Sequence, residues 1–188
     1  MKFVQLCILI LTVLFINPVS AGVLIEPLVG YSFGSIKGDQ GSGKSESVTG
    51  PSFGGRLGYQ NLGFQLGLDY LNSSYSVSNN DYSSLKTSEW GGFVGFEFPI
   101  LLRVYAGYIF SATGATKYDT GAGGDVDLDF QKGSGTKFGI GFTGLPFVDI
   151  NFEYRKSSYN EYKLAGTKYD DSTNFNAYMI SLSFPFVL

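Results

Sequence analysis

Greasy and small-or-polar residues alternate with a period of two along most of this chain, which demands antiparallel strands with two unlike faces. The first run sets Val23, Ile25, Pro27, Val29, Tyr31 and Phe33 against Glu26, Gly30, Ser32 and Gly34. The same pattern recurs over 53–59, 62–70, 89–98, 102–110, 137–142, 148–155 and 177–186. A helix would repeat at 3.6 residues instead, so helical folds are excluded over these runs. Phe and Tyr are abundant, with 17 and 13 copies, and 26 glycines accompany them, a mixture suited to strands and turns.

The two faces differ in a way that decides which one turns inward. The apolar face carries no charge within the runs. The other bears Glu26, Arg56, Asp69, Glu89, Glu97, Arg103, Lys137, Asp149, Glu153 and Arg155, interleaved with glycines. In a soluble barrel or sandwich the polar face would be outermost and the apolar face would fill the core. Small residues beside long ionic ones fit a narrow polar interior, and an unbroken apolar face fits contact with lipid.

Connections between the runs alternate in length. Gln60-Asn61, Pro99-Ile100-Leu101 and Gly144-Leu145-Pro146 are expected to be tight turns. Four polar segments, 36–51, 72–87, 112–134 and 157–173, are expected to be long loops. Short turns at one end and long loops at the other define an all-β, eight-stranded antiparallel up-and-down transmembrane β-barrel. Runs of about ten residues also match the ~9–11 that a tilted strand needs to cross a bilayer.

The start of the chain fits export. Lys2 precedes an apolar stretch to Ile16, Asn17-Pro18 breaks it, and Val19-Ser20-Ala21 supplies short side chains. These are the parts of a secretory signal, expected to span 1–21 with cleavage after Ala21. Its apolar run of roughly 14 residues is shorter than the ~20 of a spanning helix. Cys7 lies inside that run and reads as apolar filler. The remaining 22–188 form one domain with neither cysteine nor histidine, so a disulfide framework and a Cys/His zinc site are both excluded. With 16 acidic residues against 13 basic ones and no basic tract, nucleic acid is not an expected partner.

The glycine–aromatic strands Gly30-Tyr31-Ser32-Phe33-Gly34, Gly54-Gly55-Arg56-Leu57-Gly58-Tyr59 and Arg103-Val104-Tyr105-Ala106-Gly107-Tyr108 resemble the small OmpA/OmpX-like outer-membrane barrels over the whole of 22–188. That resemblance implies residence in the outer membrane of a Gram-negative bacterium after signal cleavage. It implies contact with outer-membrane lipid and lipopolysaccharide, handling by periplasmic chaperones and the outer-membrane assembly machinery, and an unidentified extracellular ligand. Members of such families usually end on an aromatic residue. This chain ends Phe184-Pro185-Phe186-Val187-Leu188, with Pro185 removing a ladder donor.

Chemistry is expected inside the barrel, as ion pairing. A three-residue turn at 99–101 sets Glu97 opposite Arg103, and one at 144–146 sets Lys137 opposite Glu153. Such pairs either plug the lumen, giving a structural or surface-interaction protein, or line a small pore for ions or small solutes. No catalytic residue, cofactor or metal site is expected, because lipid-modifying barrels rest on a histidine base that this chain lacks. Gly38–Ser45 spells a P-loop pattern without the helix it requires. Asp125, Asp127 and Asp129 alternate in a glycine-rich segment, either as a divalent-cation site or as solvated strand. Tyr75, Tyr82, Tyr118, Tyr159, Tyr162 and Tyr169 are placed on loops, for ligand contact or headgroup anchoring. Tyr70, Trp90, Tyr108 and Tyr154 are placed at the lipid boundary.

Overall fold

The computed structural model describes residues 21–38, 45–78, 84–119, 125–164, 166–170 and 172–188. They form the strands β1 (Gly22–Gly38), β2 (Ser45–Asn61), β3 (Phe64–Val77), β4 (Leu85–Phe98), β5 (Leu102–Asp119), β6 (Asp125–Leu145), β7 (Val148–Leu164), β8 (Thr167–Tyr169), β9 (Thr173–Ser183) and β10 (Phe186–Val187). Each long strand pairs antiparallel with the next. The ring closes because β9 pairs with both β7 and β1. β10 continues β9 in the same register against β1, interrupted where Pro185 lacks an N–H. The start of β1 locks to the last residue through two backbone bonds between Val23 and Leu188, of 2.9 and 3.0 Å. Eight staves therefore enclose one lumen, with β8 a short flap on β7 at the rim.

Alternation fixes which side chains face out. Phe53, Leu57, Leu66 and Val94 are each more than half exposed, whereas Arg56, Asp69 and Phe93 between them are buried. On β1 the outward apolar band runs from Val23 to Phe33. Ten residue steps span about 33 Å along the strand, or about 25 Å along an axis tilted by ~40°. Above this band the outward residues become polar: Ser35 and Lys37 on β1, Ser88 and Lys86 on β4, Lys156 and Ser158 on β7. An aromatic belt marks the change, including Phe33, Trp90, Tyr108, Tyr154 and Tyr178. Tyr70 packs on Trp90 with ring centroids 4.8 Å apart.

Three tight turns close one end, two of them displaced from expectation. Gln60 and Asn61 are still paired, to Gln65 and Phe64, and the turn is Leu62-Gly63. Both turn residues have positive φ, 48° and 81°, the two-residue geometry that matches strand twist. The Pro99-Ile100-Leu101 turn is as expected, with Phe98 opposite Leu102 and Leu101 at φ 62°. The third turn is Pro146-Phe147, with Leu145 opposite Val148 and a register shift below Phe142. That shift sets Phe142 opposite Ile150 and Lys137 opposite Arg155, not Glu153.

The four segments expected as long loops are mostly strand. β1 runs to Gly38, β2 begins at Ser45, β5 reaches Asp119 and β6 starts at Asp125. Their polarity reflects a barrel wall standing in water on its outer face; on the inner face the ionic side chains give way here to an apolar cluster, described below. We expect Gly63→Ala to lower the unfolding free energy by about 1–2 kcal/mol in urea titrations of the micelle-refolded barrel, because a Cβ there meets the Glu97 carbonyl and φ is left-handed. Leu62→Asn, tolerated at positive φ, should leave the midpoint unchanged.

Candidate functional site

Inward positions of seven staves converge on a lumen filled by paired ions. Glu26 on β1 accepts hydrogen bonds from Arg56 (3.1 Å) and, at both oxygens, from Arg103 (2.6 and 3.1 Å). Arg56 also donates to Glu153 at 3.1 Å. Arg155 pairs with Glu153 and with Glu89, and Ser157 donates to Glu89 at 3.0 Å. Arg103 donates to Asn151 (2.7 Å), lies 3.4 Å from Asp149, and Asn151 donates to Ser183 at 2.8 Å. Lys137 pairs with Asp69 across the lumen. One connected chain thus crosses the barrel from Asp149 near the turn end to Glu89 and Ser157 above mid-barrel.

The ions are packed as well as paired. The Arg56 guanidinium lies 4.2 Å from the Tyr105 ring centroid and 5.7 Å from that of Phe93, a contact that stabilises a desolvated cation. The phenol end of Tyr105 lies over Gly139, where a Cβ would overlap it, and Lys137 occupies the space that a Cβ on Gly107 would take. Interior glycines are therefore the room in which the long side chains fold over. Above the ions, Ser32, Ser52 and Ser73 join through two hydroxyl contacts of 2.7 Å.

Of the ten interior charges expected from sequence, nine are buried: Glu26, Arg56, Asp69, Glu89, Arg103, Lys137, Asp149, Glu153 and Arg155. Glu97 is only half-buried. It stands opposite Arg103 in register, but Arg103 turns across the lumen to Glu26, whose two oxygens it can hold at once. The expected Lys137–Glu153 pair is replaced by Lys137–Asp69 and Arg155–Glu153, as the displaced third turn requires. Asn151, Tyr105 and Phe93 complete the network. Alternation placed Tyr105 and Phe93 inside, but no sequence signal told that their rings would cover Arg56.

The rim holds a second, unlike layer. Val48, Tyr75, Leu85, Ile109, Ala112, Phe130, Tyr159, Phe175 and Ala177 form a buried apolar cluster inside the upper barrel. Tyr75 packs edge-on against Phe175 at 5.3 Å. Tyr75 and Tyr159 are thus core residues and not loop residues, because the strands run on through segments that had been expected to loop. Tyr162 stacks on Tyr169 where β8 pairs with β7; Tyr82 lies outside the described residues. Asp127 and Asp129 sit on β6 opposite Lys117 and Lys163, and no metal-holding cluster occurs among the described residues. The P-loop pattern falls across the β1–β2 connection, with Lys37 opposite Ser45; residues 39–44 lie outside the described residues.

At the rim, Glu161 turns inward between Lys132 (2.6 Å) and Lys168 (3.3 Å). The hydrogen bond from Lys132, helped by Lys168, holds the Glu161 carboxyl below the usual carboxylate range.

No family model matches the sequence, and no curated protein matches it either. Solved structures do match. The attachment invasion locus protein Ail of Yersinia pestis, in complex with the heparin analogue sucrose octasulfate, superposes with a TM-score of 0.62 at 13% identity, covering 88% of this chain and 99% of that one. Neisserial surface protein A superposes with a TM-score of 0.56 at 16% identity, covering 89% and 99%. The chain therefore has the fold of the small eight-stranded outer-membrane β-barrels.

Arg56→Met leaves Glu26 and Glu153 short of a partner, and we expect a loss of about 3–5 kcal/mol in urea unfolding. Glu97→Gln, by contrast, should change it by less than about 0.5 kcal/mol. A second expectation concerns pH. Because Glu161 is held below its unfolded-state value, its contribution is present at neutral pH and lost as pH falls through the folded-state value. Amide protection of Thr167–Tyr169 should therefore drop as the pH is lowered through and below the ordinary carboxylate range, and Glu161→Gln should remove that dependence.

Proposed function

We propose that this protein is an integral outer-membrane barrel with a closed lumen, serving a structural or surface-interaction role. The observation that carries this reading is the continuous ionic chain from Asp149 through Arg103, Glu26, Arg56, Glu153 and Arg155 to Glu89. Side chains so paired leave little interior for a solute, since eight staves enclose a width that side chains alone can fill. The apolar cluster at the rim adds a second obstruction of different chemistry. The outward apolar band of about 25 Å supports lipid as its surroundings.

On this reading the chain is exported, loses residues 1–21, and is handed by periplasmic chaperones to the assembly machinery. Its partners are outer-membrane lipid and lipopolysaccharide, and an external ligand met at the rim. The absence of histidine from the sequence favours a non-enzymatic role.

The test is planar-bilayer conductance of the membrane-extracted protein, after its intact mass shows a start at Gly22 and a gel shows a heat-modifiable shift. We expect the shift without discrete conductance, and conductance to appear when Arg103→Ala, where Glu26 and Asp149 lose their shared cation, is combined with Tyr159→Ala and Phe175→Ala in the apolar cluster. Discrete, selective conductance of the unaltered protein would overturn the closed lumen and establish a pore.

A further inference from the structure

The outer wall is not uniform where the apolar band ends. Across β7, β9, β1 and β2 the register places Tyr154, Tyr178, Phe33 and Thr49 in one outward row. Their rings are in contact: Phe33 and Tyr178 stack at 5.7 Å, and Tyr154 lies 5.1 Å from Tyr178. The next row up is Lys156, Asn176, Ser35 and Ser47. Tyr154 ties the rows together, donating its hydroxyl to the Asn176 side-chain oxygen at 3.1 Å. One row higher, Lys37 stands between Asn174 and Ser45. Below the aromatic row come Phe152, Ile180, Tyr31 and Pro51, which belong to the apolar band.

An open groove of about 650 Å³ lies over the aromatic and amide rows. Its floor is aromatic and its upper wall is hydroxyl and amide, the pairing on which sugar rings settle. Lys37 and Lys156 are exposed at its upper margin and enter none of the ion pairs among the described residues. Ammonium groups so placed suit phosphate. Directly opposed residues are about 5 Å apart across strands, so the patch is some 15 Å wide, the scale of two sugar rings.

We propose that this groove seats the phosphorylated sugar headgroup of a membrane glycolipid, its acyl chains lying along the apolar rows beneath. The lipid source follows from continuity. A sugar resting on the Tyr154–Tyr178–Phe33 row is adjacent to residues that face hydrocarbon, so its occupant is best held with chains attached. The inference rests on the outer-membrane reading above and deepens its lipid partner into a defined site.

The test measures retention of diphosphoryl lipid A by the refolded full chain in phosphatidylethanolamine vesicles, with the heat-modifiable shift recorded for every variant. Absence of the shift in the unaltered chain counts against the outer-membrane reading itself. With the shift present, the double variant Lys37→Gln/Lys156→Gln should lose about fivefold in affinity, and Tyr178→Ser a similar factor. Asn176→Asp, which adds an anion without changing shape, should lose about tenfold and stands in if the double variant does not fold. Lys86→Gln/Lys117→Gln, at similar height on the opposite wall, should leave retention unchanged. Equal losses from the two lysine pairs would overturn a localised site, as would undiminished binding by Tyr178→Ser and Asn176→Asp. If the deacylated phosphosugar competes as well as the whole lipid, the groove serves a soluble glycan and the lipid assignment fails.

Discussion

Arg56 is the hinge of the interior. Its guanidinium touches Glu26 on one side and Glu153 on the other, and covers Tyr105. A carboxylate inside a wall coated by hydrocarbon cannot draw on bulk water, so each must find a cation or a donor within the lumen. That requirement reaches the rest of the structure. Glycines must stand at Gly139 and Gly107 so that long side chains can fold over. The staves must also keep their register, since a slip of one residue would turn these ions toward lipid.

Much of this was legible in the sequence because the period of two leaves so little choice. The outward and inward faces, the number of staves and the end bearing the tight turns all follow from alternation and spacing. What failed were quantities that depend on one residue more or less. The turn at Leu62-Gly63 was hidden because Leu62 continues the apolar alternation, although it sits at positive φ on the turn. The shift below Phe142 moved Lys137 from Glu153 to a place opposite Arg155, and no local pattern announces such an irregularity. Partner choice across the lumen was likewise beyond reach. Arg103 and Glu26 are distant in sequence and on non-adjacent staves, so only the closed ring brings them together.

The upper barrel was misjudged for a different reason. Segment 36–51 is rich in Gly, Ser and Lys, and 157–173 in Ser, Lys, Asp and Tyr, the composition of loops. Yet Val48 and Tyr159 alternate with those residues and meet Phe175 inside in one cluster. Once a wall leaves lipid, its outer face becomes hydrophilic while its inner face can become apolar, so the polarity of the two faces reverses along a single strand. A reader expecting apolar-out throughout therefore loses the strand where the reversal occurs. The same reversal gives the outer wall its stacked rows, with hydrocarbon, ring, amide and ammonium chemistry within a few residue steps.

The apolar cluster has one more consequence, for the traffic of protons. Among the described residues, apolar side chains lie above the ionic chain, and at its lower mouth Glu97 is half-exposed. Among the described residues the interior charges therefore lie nearer to water at the turn end than at the rim, where the apolar cluster stands between. Acid or salt on the rim side would act first on Glu161 and its two lysines.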